Sequence, residues 1–241
     1  MRHIEFERLH NFRDLGGYRA ADGRSVRWGR LYRSDSLAKL RGADWDRFLA
    51  LDVRTVIDLR YPWEIEQRGR VPQAMGLGYV NLSVEHRPYD QAQIDPALDP
   101  WRFLADRYAE VALDGAEELR QALEIIASDS APLVFHCASG KDRTGLLAAL
   151  VLALLGVADE EILADFALTE LATDRLRADW QAAHPGRTLR WPGYGRAPAE
   201  VMRLFLADLR ATYGSVGGYA TTHLGADDAL VAELRARLLT A

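Results

Sequence analysis

Residues 131 to 156, APLVFHCASGKDRTGLLAALVLALLG, constrain the fold more than any other part of the chain. The run APLVFHCA (131 to 138) is short, apolar and rich in β-formers, and it ends in a polar loop. TGLLAALVLALLG follows as a helical pattern that is apolar nearly all round, so the helix it forms belongs in the interior. A strand delivered through a short loop into a buried helix is a building block of α/β proteins.

The rest of the chain is compatible with that unit. RLYRS (30 to 34), TVIDLR (55 to 60) and GYVNLSV (78 to 84) read as further strands. Helical patterns near 42 to 51, 62 to 69, 101 to 113 and 115 to 128 lie between the strands. Beyond Gly156 only helices are expected, at 159 to 171, 173 to 183, 198 to 213, 216 to 224 and 226 to 239. The reading is therefore an α/β fold, a central mostly parallel β-sheet flanked by α-helices, with a helical C-terminal third. No repeat, low-complexity tract or Gly/Ser linker divides the chain, so residues 1 to 241 are read as one domain. Two irregular segments stand out. EHRPYDQAQIDPALDP (85 to 100) is long enough to be a functional loop or lid, and HPGRTLRWPGYGRAP (184 to 198) interrupts the late helices.

Composition narrows the function. Hydrophobic residues make up 49% of 241, enough for a large core. The formal net charge of −5 argues against a general nucleic-acid binder. One cysteine excludes an intramolecular disulfide and fits a reducing compartment. The N-terminus lacks the apolar core of a secretory signal, and the longest uncharged apolar stretch, Gly145 to Ala158, is too short to span a bilayer. A cytoplasmic monomer without integral membrane association is expected.

The single cysteine sits in the loop itself. A strand-to-helix loop gathers backbone N–H groups with no intrahelical partner, and the helix dipole adds positive potential, so the site suits an anion. Cys137 in that position, with Lys141 and Arg143 beside it, is biased toward the reactive thiolate. Arg143 can fork two hydrogen bonds onto phosphate oxygens, Gly140 lets the backbone curl close, and Thr144 can donate to the sulfur. The parts describe a nucleophile aimed at phosphorus within a nest of donors, giving a phosphocysteine. Ala138, Ser139, Gly140, Lys141 and Thr144 are expected around the phosphoryl group. Neighbours in a strand point to opposite faces, so His136 is expected to face away and order the loop rather than act as a base.

His136, Cys137, Gly140, Arg143, Thr144 and Gly145 fill the defined positions of the cysteine-dependent protein tyrosine phosphatase signature, and HCASGKDRTG resembles the HCxxGKDRTG form found in its PtpB-like bacterial family. NFRDLGGY (11 to 18), GRLYRSDSL (29 to 37), TVIDLR with Glu64 after it, and YGSVGGY (213 to 219) are similar to segments of the same family. The resemblance implies a phosphatase fold and action on phosphotyrosine, extending in some members to phosphoserine, phosphothreonine or phosphoinositides. It implies no cofactor, and no metal-ligand spacing is found.

An acid is needed to protonate the leaving phenolate. In the family it follows the strand corresponding to GYVNLSV, where this chain offers Glu85, His86, Asp90, Asp95 and Asp99 without a clear match. Asp90 is favoured over Glu85. Asp142 is the rival, as in myotubularin-type loops. A carboxylate so near the sulfur disfavours the thiolate, so Asp142 is expected to point away or to be shared with Lys141 and Arg143.

Arg13, Asp14, Asp58 and Arg60 are expected as a charge network beneath the loop, with Asn11 bonding backbone there. Arg60 also counts among the substrate-binding residues. Arg187, Arg190 and Arg196, with Trp191 and Tyr194, form either an anionic-substrate or membrane-surface patch or a solvated loop with locally packed aromatics. Three other functions fit the residues: a phosphatase for phosphoinositides or other small phosphate esters, a catalytically silent phosphate-binding module, and a sulfur-transfer enzyme of the rhodanese kind.

Overall fold

A computed structural model describes residues 2–90 and 94–241. Residues 91–93, within the expected lid segment, lie outside the described residues. Five strands form one sheet: β1 (Arg13–Asp14), β2 (Leu31–Ser34), β3 (Thr55–Asp58), β4 (Gly78–Asn81) and β5 (Leu133–His136). Their order is β1-β2-β5-β3-β4, parallel except for β1, which runs antiparallel along the β2 edge. This is the mostly parallel sheet expected, with a two-residue edge strand that the sequence pattern was too short to reveal.

Register decides where the chemistry sits. Ser34 and Asp58 both lie opposite His136, and Asn81 lies opposite Asp58, so four strands end together. The loop carrying Cys137 therefore leaves the middle of the sheet at its C-terminal edge, where the connections of open α/β sheets can converge on a ligand. Leu59 N–H donates to the His136 carbonyl (2.8 Å) and Ser36 N–H to the Ala138 carbonyl (3.1 Å), tying the neighbouring strand ends to the loop.

Alternation along the strands splits the core in two. Leu133, Phe135, Leu31 and Ile57 face the larger cluster, with α3 (Pro100–Asp114), α4 (Ala116–Ser128), α5 (Asp142–Leu155), α8 (Ala199–Tyr213), α9 (Val216–Thr222) and α10 (Asp228–Leu238). Val134, Tyr32 and Val56 face a smaller cluster with Phe6, Phe12 and with Phe48 of α1 (Ala43–Leu49). Helix α5 is buried from Thr144 through Leu152, as its all-apolar sequence requires. At its C-terminus Gly156 adopts φ 85° and ends the helix in the left-handed region. α6 (Asp159–Ala167), a 3-10 turn (Leu168–Ala172) and α7 (Thr173–Ala183) precede the irregular segment at 184 to 198, and no described residue after His136 joins the sheet. Among the described residues no helix is long and apolar enough to cross a membrane.

Candidate active site

Cys137 follows the last residue of β5 and is 1% exposed. Above it the backbone N–H groups from Ala138 to Arg143 find no acceptor among the described residues. Buried amides are nearly always paired, so a run of unpaired ones at the start of α5 makes a nest for an anion. The helix begins at Asp142, which puts Asp142 and Arg143 in its first turn rather than in the loop before it.

The loop is held from behind by its carbonyls. Asn11 Nδ2 donates to the carbonyls of Ser139 (3.1 Å) and Gly140 (3.0 Å), and Arg33 Nη2 donates to that of Gly140 (2.8 Å). With the carbonyls turned outward, the N–H groups are free to face the other way. Arg33 Nη1 and Arg13 Nε both reach Asp165 on α6, at 2.6 and 3.0 Å, and Tyr18 donates to the same carboxylate at 3.1 Å. Burial alone would push the Asp165 carboxyl up, but the two guanidiniums outweigh it and bring it down to about 2. Arg13 also bonds Asn11 Oδ1, which fixes the amide that grips the loop. Gly140 has φ +67°, and a Cβ there would lie 2.5 Å from the Ser34 carbonyl oxygen, so only glycine permits this approach to β2.

His136 lies on the small-core face of the sheet, opposite to Phe135. Its Nδ1–H donates to the Cys137 carbonyl at 3.1 Å, and burial lowers its pKa, keeping the ring neutral. Nε2 approaches Asp58 Oδ2 at 3.5 Å without a hydrogen bond. The ring thus contacts the cysteine's backbone, and no contact to its sulfur is seen. Asp58 and Arg60 bond each other directly, at 2.9 Å (Nε to Oδ1) and 2.7 Å (Nη2 to Oδ2), and Tyr79 donates to Asp58 at 3.0 Å. Arg60 Nη1 has no partner among the described residues.

In front of the loop lies a cavity of about 130 Å³ lined by Arg143, Asp142, Glu64, Glu85, Tyr61 and Tyr108, among others. Arg143 forks onto Glu64, the third residue of α2 (Pro62–Arg68), at 2.6 and 3.2 Å. Burial opposes the Arg143 cation, but Cys137 and Glu64 outweigh it and raise its pKa further. Its Nε is 3.7 Å from Glu85, whose pKa is raised by burial. Tyr108 of α3 donates to Asp142 Oδ1 at 2.8 Å, and Lys141 Nζ is 3.3 Å from the same oxygen. Asp142 is thus shared with Lys141, as expected, but its other partner is Tyr108 and not Arg143.

Several expected site residues are placed elsewhere. Asp14 does not join the network beneath the loop: it accepts from Gly16 N–H and Gly29 N–H, both at 2.7 Å. Successive strand residues point to opposite faces, so Arg13 and Asp14 cannot both face the loop. Asp90 does not line the cavity; its carboxylate pairs with Arg187 at 2.7 Å on the surface. Lys141 is buried, with Nζ near the Gly193 carbonyl (3.5 Å), so its ammonium ties the loop to the 184 to 198 segment. Thr144 Oγ1 is buried without a partner among the described residues and makes no hydrogen bond to the sulfur. In the 184 to 198 segment Trp191 is buried edge-on against Phe103, while Arg187 and Arg196 pair with Asp90 and Glu170. The arginines Arg187 and Arg196 are thus paired, and the aromatics pack on α3 and α7 rather than within the segment.

Glu64, Arg33, Asp165 and Tyr108 were not singled out from sequence as site residues. Arg33 stood within GRLYRSDSL and Glu64 just after VIDLR, at the third position of a helix opened by Pro62, whereas Asp165 and Tyr108 lack a local motif.

Comparison with known proteins is consistent with this geometry. The profile of a family described as the tyrosine phosphatase family matches residues 4–240. A Cupriavidus necator protein provisionally named a tyrosine-protein phosphatase is 35% identical over 254 residues, covering 98% of this chain and 88% of the relative. A Nostoc commune tyrosine-protein phosphatase is 29% identical, covering 86% of this chain and 73% of its own length. The triple specificity protein phosphatase PtpB of Mycobacterium tuberculosis is 28% identical, covering 95% of this chain and 96% of its own. Among the described residues no group of three or more His, Cys, Asp or Glu side chains is arranged to hold a metal ion.

Proposed function

The chain belongs to the tyrosine phosphatase family, and from that premise we propose that it hydrolyses phosphotyrosine in proteins through a phosphocysteine intermediate, with residues 1 to 241 acting as one domain. One observation carries the mechanism: six consecutive unpartnered backbone N–H groups surround Cys137, with Arg143 beside them.

The Cys137 thiolate attacks phosphorus and forms a P–S bond as the P–O bond to the tyrosine breaks. The loop N–H groups and Arg143 hold the three non-bridging oxygens, where charge develops in the transition state. The leaving phenolate takes a proton from a carboxylic acid. Asp142 is assigned this role because Tyr108 occupies its Oδ1, leaving Oδ2 for the proton, and because it lines the cavity with Arg143. Water then attacks the phosphocysteine, giving its proton to the same carboxylate and releasing phosphate and the free thiolate. Glu85 is a second reading for the acid, favoured by one observation: burial raises its pKa in the same cavity, which keeps a proton on it to higher pH. Asp90 is set aside, since its carboxylate is engaged at the surface.

The words triple specificity in the name of the Mycobacterium tuberculosis relative support a substrate range wider than phosphotyrosine, for which phosphoserine, phosphothreonine and phosphoinositides are the candidates the resemblance offers. The test is a panel of phosphotyrosine peptide, phosphoserine peptide, phosphoinositide and a small aryl phosphate, with EDTA present, on wild type and Cys137→Ser. Turnover on phosphotyrosine, lost in the serine variant and indifferent to EDTA, is expected. Activity that survives the substitution or depends on metal would rule the mechanism out.

A further inference from the structure

A second cavity, of about 310 Å³, opens on the other flank of the phosphate loop, where Ala138 and Ser139 form part of its wall. It shares only Glu64 with the cavity in front of Arg143. Four cations line it: Lys39 after β2, Arg41, Arg60 beyond β3, and Arg68 at the end of α2. The acids near them are already engaged. Glu64 forks onto Arg143, Asp58 is bonded to Arg60, and Asp179 pairs with Lys39 at 2.7 Å and His10 at 3.0 Å. Among the described residues no acid pairs with Arg41 or Arg68, both exposed, in a chain whose net charge is −5. Arg60, 1% exposed, keeps one nitrogen, Nη1, with no partner among the described residues.

A buried guanidinium nitrogen without an acceptor is costly unless something supplies one. Two further guanidiniums at the mouth, unneutralised, favour an anion. The opposite wall is aromatic, with Trp180 of α7 and Tyr194 5.8 Å apart. We propose that this cavity is a subsite for an acidic side chain next to the scissile phosphotyrosine of a peptide substrate. The inference rests on the phosphatase reading above. Because Ala138 and Ser139 border both the subsite and Cys137, the group that fills it has to be carried within about one residue of the phosphotyrosine. Arg60 supplies the buried bond, Arg41 and Arg68 the charge, and the aromatic wall packs the flanking chain.

The experiment uses phosphotyrosine peptides identical except for Glu, Gln or Lys on either side of the phosphotyrosine, with a small aryl phosphate in parallel. Wild type is expected to favour Glu over Gln by about 3- to 10-fold in kcat/KM, with Lys below Gln, a preference that shrinks with added salt. In Arg41→Ala/Arg68→Ala, both exposed positions, the Glu-to-Gln ratio is expected to fall toward one. A flat series in wild type, or a ratio retained in the double variant, overturns the proposal. So does a double variant impaired only on a soluble inositol phosphate, which would give the cavity to another ligand. Aryl phosphate turnover abolished by Cys137→Ser tests the phosphatase reading separately: if it is present while the peptide series is flat, only the subsite fails.

Discussion

Behind the phosphate loop Arg13 and Arg33 grip Asp165, and in front of it Arg143 grips Glu64, yet the two pairings sit in different surroundings. The rear carboxylate and both arginines are about 1% exposed, and Tyr18 and backbone acceptors take most of the remaining valences, with only Arg33 Nε unpartnered among the described residues of this network. The front pair is 11% exposed on each side and borders an open cavity. A charge locked on all sides can only hold shape, whereas one with an open side can change partners. The rear therefore fixes the carbonyls, and the front leaves a guanidinium that can fork onto a phosphoryl group.

The largest effect expected from breaking that contrast is at the rear. Asp165→Asn strands two buried guanidiniums and should cost about 3–5 kcal/mol of stability, read by urea unfolding. A change under about 1 kcal/mol would show that the rear network does not hold the fold. Asp165 titrates lower folded than unfolded. Its ionised form therefore stabilises the fold above about pH 4, and that contribution is lost as pH falls through about 2. The acid limb of a stability profile should accordingly be shallower in the Asn variant than in wild type.

At the front the reverse is expected: stability near wild type and activity lost. Arg143→Lys keeps the charge but not the fork, and kcat/KM should fall about 10²- to 10³-fold. Equal turnover by the two proteins would refute a bidentate role. Next in size is the acid. Asp142→Asn should lower kcat about 10²-fold on a poor leaving group, less on a good one, and should flatten the alkaline limb of the pH profile. If Glu85→Gln flattens that limb and Asp142→Asn does not, the roles are exchanged. Tyr108→Phe, which removes one hydrogen bond from Asp142, should lower kcat about 3- to 10-fold with KM little changed. A loss of KM alone would assign Tyr108 to binding instead.

The sequence exposed what is contiguous. A strand, a glycine-bearing loop and an apolar helix follow one another within 26 residues, so the nest around Cys137 could be read from patterns of local origin. Helix boundaries in the C-terminal third followed from apolar periodicity, and α7 spans the residues expected. The partners that fix the nest could not be read in this way. Asp165 lies 152 positions from Arg13 and 132 from Arg33, and Glu64 lies 79 from Arg143. Such contacts depend on how α6 and α2 cross the sheet edge, which no local pattern encodes. Asp14 is different. The alternation that turned His136 away from the cysteine also separates Asp14 from Arg13, and applying it at both places would have set Asp14 aside.

The six unpaired amides from Ala138 to Arg143 also bear on how the protein exchanges hydrogen with solvent. Amides of β5 and the body of α5, bonded within the core, open only with the deepest unfolding events. The nest is flanked by those elements but lacks their bonds, so its amides should exchange readily until an oxyanion accepts from them. A short window of protection, appearing with phosphate and bounded on both sides by slow exchange, would mark the loop without any turnover being measured.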